Sequence, residues 1–250
     1  MDAPRLVDSH AHTEFAYCAS GVTADEVIAR SRMLGLAGVC LVEHAPQLYC
    51  AADDFWVGRH VARPEVWRGG AQARMGAFRQ AMLPRRSAFV RVGLEVELDA
   101  DGCLTLRDED RAWPAPLVGA VHFLPEDFRT LSAADLASGF MRSTLGLLEA
   151  GVDILAHPWR LFRWAERTTP ADLFPTVAQA LADTRTAAEI NFHGNEPVPA
   201  FLAACLERGV KIAFGSDAHA MHEVGAFGPH LALLRRLAGT DDVADLLLYP

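Results

Sequence analysis

Lysine is almost missing from this chain of 250 residues: Lys211 is the only one. With a net charge of −9, the sequence does not suit the phosphate backbone of a nucleic acid as its main partner. Bound cations can still reverse a local field, so anionic substrates stay open. No apolar run approaches the roughly 18 residues of a membrane span, so no membrane partner is expected. The five cysteines, Cys18, Cys40, Cys50, Cys103 and Cys205, are odd in number and form no C-x-x-C pair. That excludes a disulfide framework and points to a reducing, cytoplasmic setting. The first residues, Met1-Asp2-Ala3-Pro4, lack a basic segment followed by an apolar one, so no secretory signal is expected. Tandem repeats and low-complexity tracts are missing as well. No G-x-G-x-x-G follows the first strand-like stretch, which removes the main mark of a dinucleotide-binding sheet.

What is present is a core and a recurring pattern. Hydrophobic residues make up 51% of the chain, enough for a substantial interior. Five short apolar stretches each run into residues that bind metals. The first is Leu6-Val7-Asp8-Ser9-His10-Ala11-His12. Alternation along a strand points His10 and His12 the same way, where they can grip one ion. The others end in Glu43-His44, in His122, in His157-Pro158 and in Ser216-Asp217-Ala218-His219. A sixth stretch, Phe89 to Glu97, ends in the carboxylates Glu95 and Glu97.

Strand and helix signals alternate from end to end. Thr23 and Glu26 form a capping box for a helix that stops near Gly35. Residues 45–64 lack periodicity and read as a long functional loop. A helix is expected over 65–83, then a strand over 90–98 and a turn at Asp101-Gly102 that pairs it with 103–106. A strand over 117–123 precedes a helix capped by Ser132 that runs to about Ala150. Strand 152–156 follows, and Thr169 and Pro170 open the next helix. Strand 187–192, helix 199–208, strand 210–214 and helix 229–237 complete the chain. Seven strands with intervening helices and no linker predict one domain over residues 1–250. Alternating β and α elements imply a parallel sheet. Ligand-type residues at nearly every strand end favour a closed ring with one mouth, a distorted (β/α)7 TIM-like barrel.

The ordered set Asp8-x-His10-x-His12, Glu43-His44, Gly93-Leu94-Glu95-x-Glu97, His122, His157-Pro158 and Gly215-Ser216-Asp217-Ala218-His219 resembles the polymerase and histidinol phosphatase (PHP) superfamily, above all its stand-alone histidinol-phosphatase-like members. The resemblance spans Asp8 to His219. It implies a distorted barrel with two or three divalent ions, zinc, manganese or iron. It also implies hydrolysis of a small phosphorylated metabolite by a metal-activated water. By motif, His10, His12, Glu95 and Asp217 would hold a first metal. His122 and His157 would hold a second, sharing Glu95, and His44 and His219 a third. Cys18 stands where relatives often place a further histidine. It is either a thiolate ligand or a non-ligand that leaves the third ion weak or absent.

Around these ligands, Asp8 and Glu43 read as residues that orient histidines, and Glu97 as a companion of Glu95 or a salt-bridge partner. Asp217 or His219 could carry a proton to the leaving group. Arg160 and Arg163, just beyond His157, would contact phosphate, and Asn191 the substrate. His193 could face the mouth. His60, His222 and His230 read as surface histidines. Two other readings compete: an amidohydrolase-like hydrolase of a C–N or C–O bond, and a degenerate metal-binding regulatory domain. The first lacks a lysine at the mouth, because Lys211 begins a strand. Substrate, metal identity and oligomeric state are not encoded legibly.

Overall fold

Seven parallel strands lie in the order of the sequence: β1 (Val7–Ala11), β2 (Gly38–His44), β3 (Val90–Val96), β4 (Leu117–Gly119), β5 (Ile154–Leu155), β6 (Ala187–Asn191) and β7 (Ile212–Gly215). The computed structural model describes residues 5–69, 73–194 and 196–249. The ring closes where β7 meets β1. Ala11 bridges Ala218, and the Asp217 N–H donates to the His10 carbonyl at 2.7 Å. The result is a single-domain, nearly closed (β/α)7 barrel of TIM type.

One bulge shapes the first strand. Asp8 pairs with Val39 and Ala11 with Leu41, so three residue steps of β1 face two of β2. A bulge of this kind re-aims side chains at a barrel rim. Cys40, Val42, Val118, Ala120, Ile154, Ala156, Ala187 and Ala213 form one buried cluster, and Tyr249 packs against it. Arg91 stacks over the Tyr249 ring at 4.3 Å, and Leu248 bonds Ile212. The C-terminal segment therefore lies against the N-terminal end of β7. The larger core lies between strands and helices, around Phe78, Phe140, Trp159 and Phe201.

The helices are α1 (Ala24–Met33), α2 (Ala45–Tyr49), α3 (Ala52–Trp56), α4 (Arg59–Ala62), α5 (Glu65–Arg68), α6 (Ala73–Met82), α7 (Ala133–Glu149), α8 (Arg160–Trp164), α9 (Phe174–Thr184), α10 (Pro199–Glu207) and α11 (Gly228–Ala238). Two of the three predicted caps form: Thr23 accepts from the Glu26 N–H and Ser132 from the Asp135 N–H. Gly35 follows α1 with φ +71°.

Elsewhere the structure corrects the reading. The long 45–64 loop is the run α2–α4, turns too short to show a helical period. The expected helix over 65–83 is broken into α5 and α6; residues 70–72 lie outside the described residues. The helix expected at Pro170 begins at Phe174, after a 3-10 turn over Ala171–Leu173, and its N-cap Leu173 makes no side-chain bond. The predicted 103–106 strand reduces to one bridge between Leu98 and Leu104. Among the described residues, no helix is long and apolar enough to cross a membrane.

Candidate metal centre

The C-terminal strand ends converge on one buried cluster. His10 leaves β1, His44 ends β2, Glu95 lies on β3, and His122, His157, Asp217 and His219 follow β4, β5 and β7. Glu95 is its hub. Oε1 faces His157 Nε2 at 3.2 Å and His122 Nε2 at 3.6 Å. Oε2 faces His44 Nδ1 at 2.6 Å, His10 Nε2 at 3.7 Å and His12 Nε2 at 3.9 Å. Burial pushes the Glu95 carboxyl up, but the imidazoles of His44, His122 and His10 outweigh it and hold the group well below the usual range. Asp217 is depressed in the same way. Burial opposes its charge, and Arg160, His10 and His12 prevail.

Four imidazoles have the same outer arrangement. His10 Nδ1 meets Glu189 Oε1 at 2.9 Å, His12 Nδ1 meets Glu43 Oε1 at 3.2 Å, and His122 Nδ1 meets Glu97 Oε1 at 3.0 Å. His219 Nδ1 meets the Asp217 carbonyl at 2.6 Å. A carbonyl or carboxylate oxygen only accepts, so each Nδ1 carries the proton and Nε2 is the nitrogen left to meet an ion. Without one, the surrounding carboxylates hold His10, His12 and His122 above the usual imidazole range, and His12 Nε2 donates to Asp217 Oδ1 at 2.9 Å. Metal-binding histidines are commonly fixed this way. His157 is pushed down to about 4 by burial and by Arg160, and His219 down to about 3 by burial and by His12. Both rings are neutral, the form that ligates.

The ligand atoms fall into overlapping triads, each within 4.8 Å: His10, His12 and Glu95; His44, Glu95 and His122; His12, His44 and His219. The buried His10 Nε2 and Glu95 Oε2 have no hydrogen-bond partner, although His44 Nδ1 stands 2.6 Å from that oxygen. Isolated orphan atoms of this kind are costly. Here they sit side by side and aim at one another, which fits a shared cation. Nitrogen and carboxylate donors suit first-row divalent ions.

Backbone strain marks the same place. His157 has φ 27° and Asp217 φ 49°, conformations that non-glycine residues adopt rarely and mostly where the surroundings enforce them. Gly215 is required by crowding: a Cβ there would run into Glu189 Oε1 and stand 3.0 Å from His10 Cβ.

The other predicted residues are placed as follows. Asp8 accepts backbone N–H groups of His10 at 3.3 Å and Ser216 at 3.1 Å, tying β1 to the β7 exit. Cys18 has its Sγ 3.7 Å from His44 Nε2, receives Gln47 Nε2, and belongs to none of the triads. Burial pushes its thiol up to about 12. Arg160 is buried. Its Nη2 donates to Asp217 at 2.7 Å, Asn191 at 3.2 Å and the His193 carbonyl at 2.8 Å, while its Nε has no partner. Asn191 lies within this network, bonded to Glu189 and Asp217. Arg163 is exposed and is not brought to the site. His193 reaches the mouth, stacked on His219 at 4.3 Å and paired with Glu223 at 2.6 Å.

Two histidines read as surface residues are buried. His60 pairs with Glu97, and His230 donates toward the Gly215 carbonyl at 3.1 Å within a cage of Phe192, Phe214 and Phe227. Their polar sequence surroundings hid this, because the contacts come from distant elements. Glu189 belongs to none of the sequence motifs, yet it holds His10 and His157. A glutamate inside Ala187-Ala188-Glu189-Ile190-Asn191, in phase with Asn191, was the available signal.

Above the cluster opens a cavity of about 510 Å³. His44, His122, His219 and Arg160 form its floor. Phe55, Trp56, Phe123 and Trp164 form much of its wall, with Arg129 beside Phe128. Gly58, at φ +67°, lets the Phe123 ring pack where a Cβ would collide.

No protein-family model matches the chain, and no curated protein matches it in sequence. Solved structures do. A candidate histidinol phosphatase from Listeria monocytogenes superposes with a TM-score of 0.60 at 15% identity, covering 90% of this chain and 99% of that one. A chain of an archaeal ribonuclease P bound to mature tRNA gives 0.52 at 13% identity, covering 96% and 86%. A candidate metal-dependent phosphoesterase from Bifidobacterium adolescentis aligns over 87% of this chain and 89% of its own at 16% identity, with a TM-score of 0.31. The chain thus has the fold of the Listeria protein, consistent with the PHP resemblance carried by its motifs.

Proposed function

We propose that this protein is a metal-dependent phosphoesterase that hydrolyses a phosphomonoester of a small metabolite, holding two or three divalent ions of the zinc, manganese or iron type. The observation that carries the reading is the ligand cluster around Glu95 at the floor of an open cavity. Bound ions would lower the pKa of a water and neutralise the phosphoryl oxygens. The candidate ligands are His10, His12, His44, Glu95, His122, His157, Asp217 and His219, with Cys18 at the edge of the third triad. The chain's own groups do the rest. Arg160, which lines the cavity floor, would offer its guanidinium charge to a phosphoryl oxygen. Asn191 holds Arg160 in place from below. Asp217 or His219 would pass a proton to the leaving oxygen. The amidohydrolase-like alternative wants a lysine at the mouth, and the one lysine of the chain bonds the Asp245 carbonyl in the C-terminal segment instead.

The test combines metal analysis with phosphate release. Protein stripped and reloaded with zinc, manganese or iron should bind at least two ions and release phosphate from a panel of phosphomonoesters. Fewer than one ion per chain, or hydrolysis of uncharged esters and amides but no phosphoester, would overturn the reading.

A further inference from the structure

We infer that the substrate's alcohol part is a flat aromatic or heteroaromatic group without a cationic amine, seated against the wall formed by Phe55, Trp56, Phe123 and Trp164. The inference rests on the phosphoesterase reading and narrows it. The cavity has two chemically different zones. Its floor is imidazole and Arg160, suited to an anion; its wall is aromatic. At about 510 Å³ it lies within the usual range of ligand sites, roughly 300–1,000 Å³, far more than a phosphoryl group fills.

The wall is built rather than incidental. Trp164 stacks on His122 with centroids 5.7 Å apart and planes 24° apart, which anchors it at the floor. Phe55 packs on His44 at 5.4 Å and on Trp56 at 5.3 Å. The glycine at position 58 makes room for Phe123. Yet Trp56 remains 51% and Trp164 40% exposed. Two half-exposed indoles lining one opening leave apolar area that a planar ligand can cover.

The charge of the lining excludes the alternative of an amino alcohol. Both charged side chains that line the cavity are arginines, Arg129 and Arg160, and among the described residues no carboxylate lines it. The nearest acids are committed elsewhere: Glu95 and Asp217 to the imidazoles and Arg160, and Glu223 to His193. An ammonium in this space would meet no carboxylate on the lining to pair with, and the charged side chains it would meet there are the two arginines.

Three unactivated substrates separate the possibilities: propyl phosphate, 3-phenylpropyl phosphate and phenylalaninol phosphate. The third is the second with an added ammonium. Metal-loaded protein should hydrolyse 3-phenylpropyl phosphate with kcat/KM at least tenfold above propyl phosphate and at least tenfold above phenylalaninol phosphate. Trp56→Ala should collapse the phenylpropyl-to-propyl ratio toward one, and Trp56→Phe should restore most of it. A wild-type ratio near one, or a preference for the amine, overturns this inference and leaves the phosphoesterase reading standing. A Trp56→Ala variant that binds metal as wild type and keeps the full ratio removes the wall from recognition. If phosphate is released from none of the three and from no wider panel of phosphomonoesters, the phosphoesterase reading and this inference fail together.

Discussion

Replacing Glu189 by Gln tests whether the buried carboxylate on β6 organises the site. The change keeps volume and removes one acceptor and the charge. Glu189 accepts His10 Nδ1–H at 2.9 Å on one oxygen, and on the other the His157 backbone N–H at 2.9 Å and Asn191 Nδ2 at 3.0 Å. A primary amide has one oxygen. If it faces His157 and Asn191, its NH2 confronts the His10 Nδ1–H. If it faces His10, its NH2 confronts two donors. Relief of repulsion from Asp217 works the other way. It is the smaller effect: burial pushes the Glu189 carboxyl up, yet His10's charge and hydrogen bond bring it below its ordinary value. Each buried donor left unpaired costs about 1–3 kcal/mol. For a chain of this size roughly 2 kcal/mol lowers Tm by about 4–8 °C. His10 can escape the clash by moving its proton to Nε2, the nitrogen aimed at Glu95, so metal affinity should fall by roughly ten- to a hundredfold. Differential scanning calorimetry of the metal-free protein and calorimetric zinc titration read the two effects. A Tm within about 1 °C of wild type together with unchanged affinity would refute the reasoning.

Glu95→Gln should leave less than a tenth of turnover with the fold retained, since an amide bridges two cations poorly; circular dichroism and phosphate release check this together. Cys18→Ser separates ligand from bystander: if the thiol completes the third triad, bound metal falls toward two per chain by elemental analysis, and unchanged stoichiometry makes Cys18 structural. The buried His230 is pushed down to about 4 from an ordinary 6.5 by desolvation. The unfolded chain therefore binds its proton first, and stability is lost as pH falls from 6.5 through 4, by up to roughly 3 kcal/mol. His230→Phe should flatten that part of the stability–pH curve measured by urea unfolding; an unchanged slope would show that this ring is not responsible.

The barrel was legible because each strand announces itself twice, by an apolar run and by a polar exit. The ligands were legible for the same reason: a histidine at the end of a buried strand has few structural excuses. What the sequence concealed has a common physical origin. Glu189, His60 and His230 owe their roles to partners far away in sequence, which no local period reports. α5 stops at Gly69, the first of two adjacent glycines that weaken a helix locally, and α9 starts at Phe174, beside the Pro175 that suits a first turn. Arg160 and Arg163 look alike in sequence, yet one is buried against Asp217 and the other faces solvent, a difference set by helix phase.

The closure between the first and last strands has a consequence for how the protein is made. His10 and His12 are synthesised at the start, Asp217 and His219 near the end, and the His10–Asp217 backbone bond is the seam that joins them. A nascent chain can pair β1 through β6 in order, each with its predecessor, but it cannot assemble the centre until β7 has emerged. Contacts of such long range are slow to form. A divalent ion bound across the seam would act as a clasp on the finished ring, adding its binding free energy to the one junction that no helical crossover covalently secures.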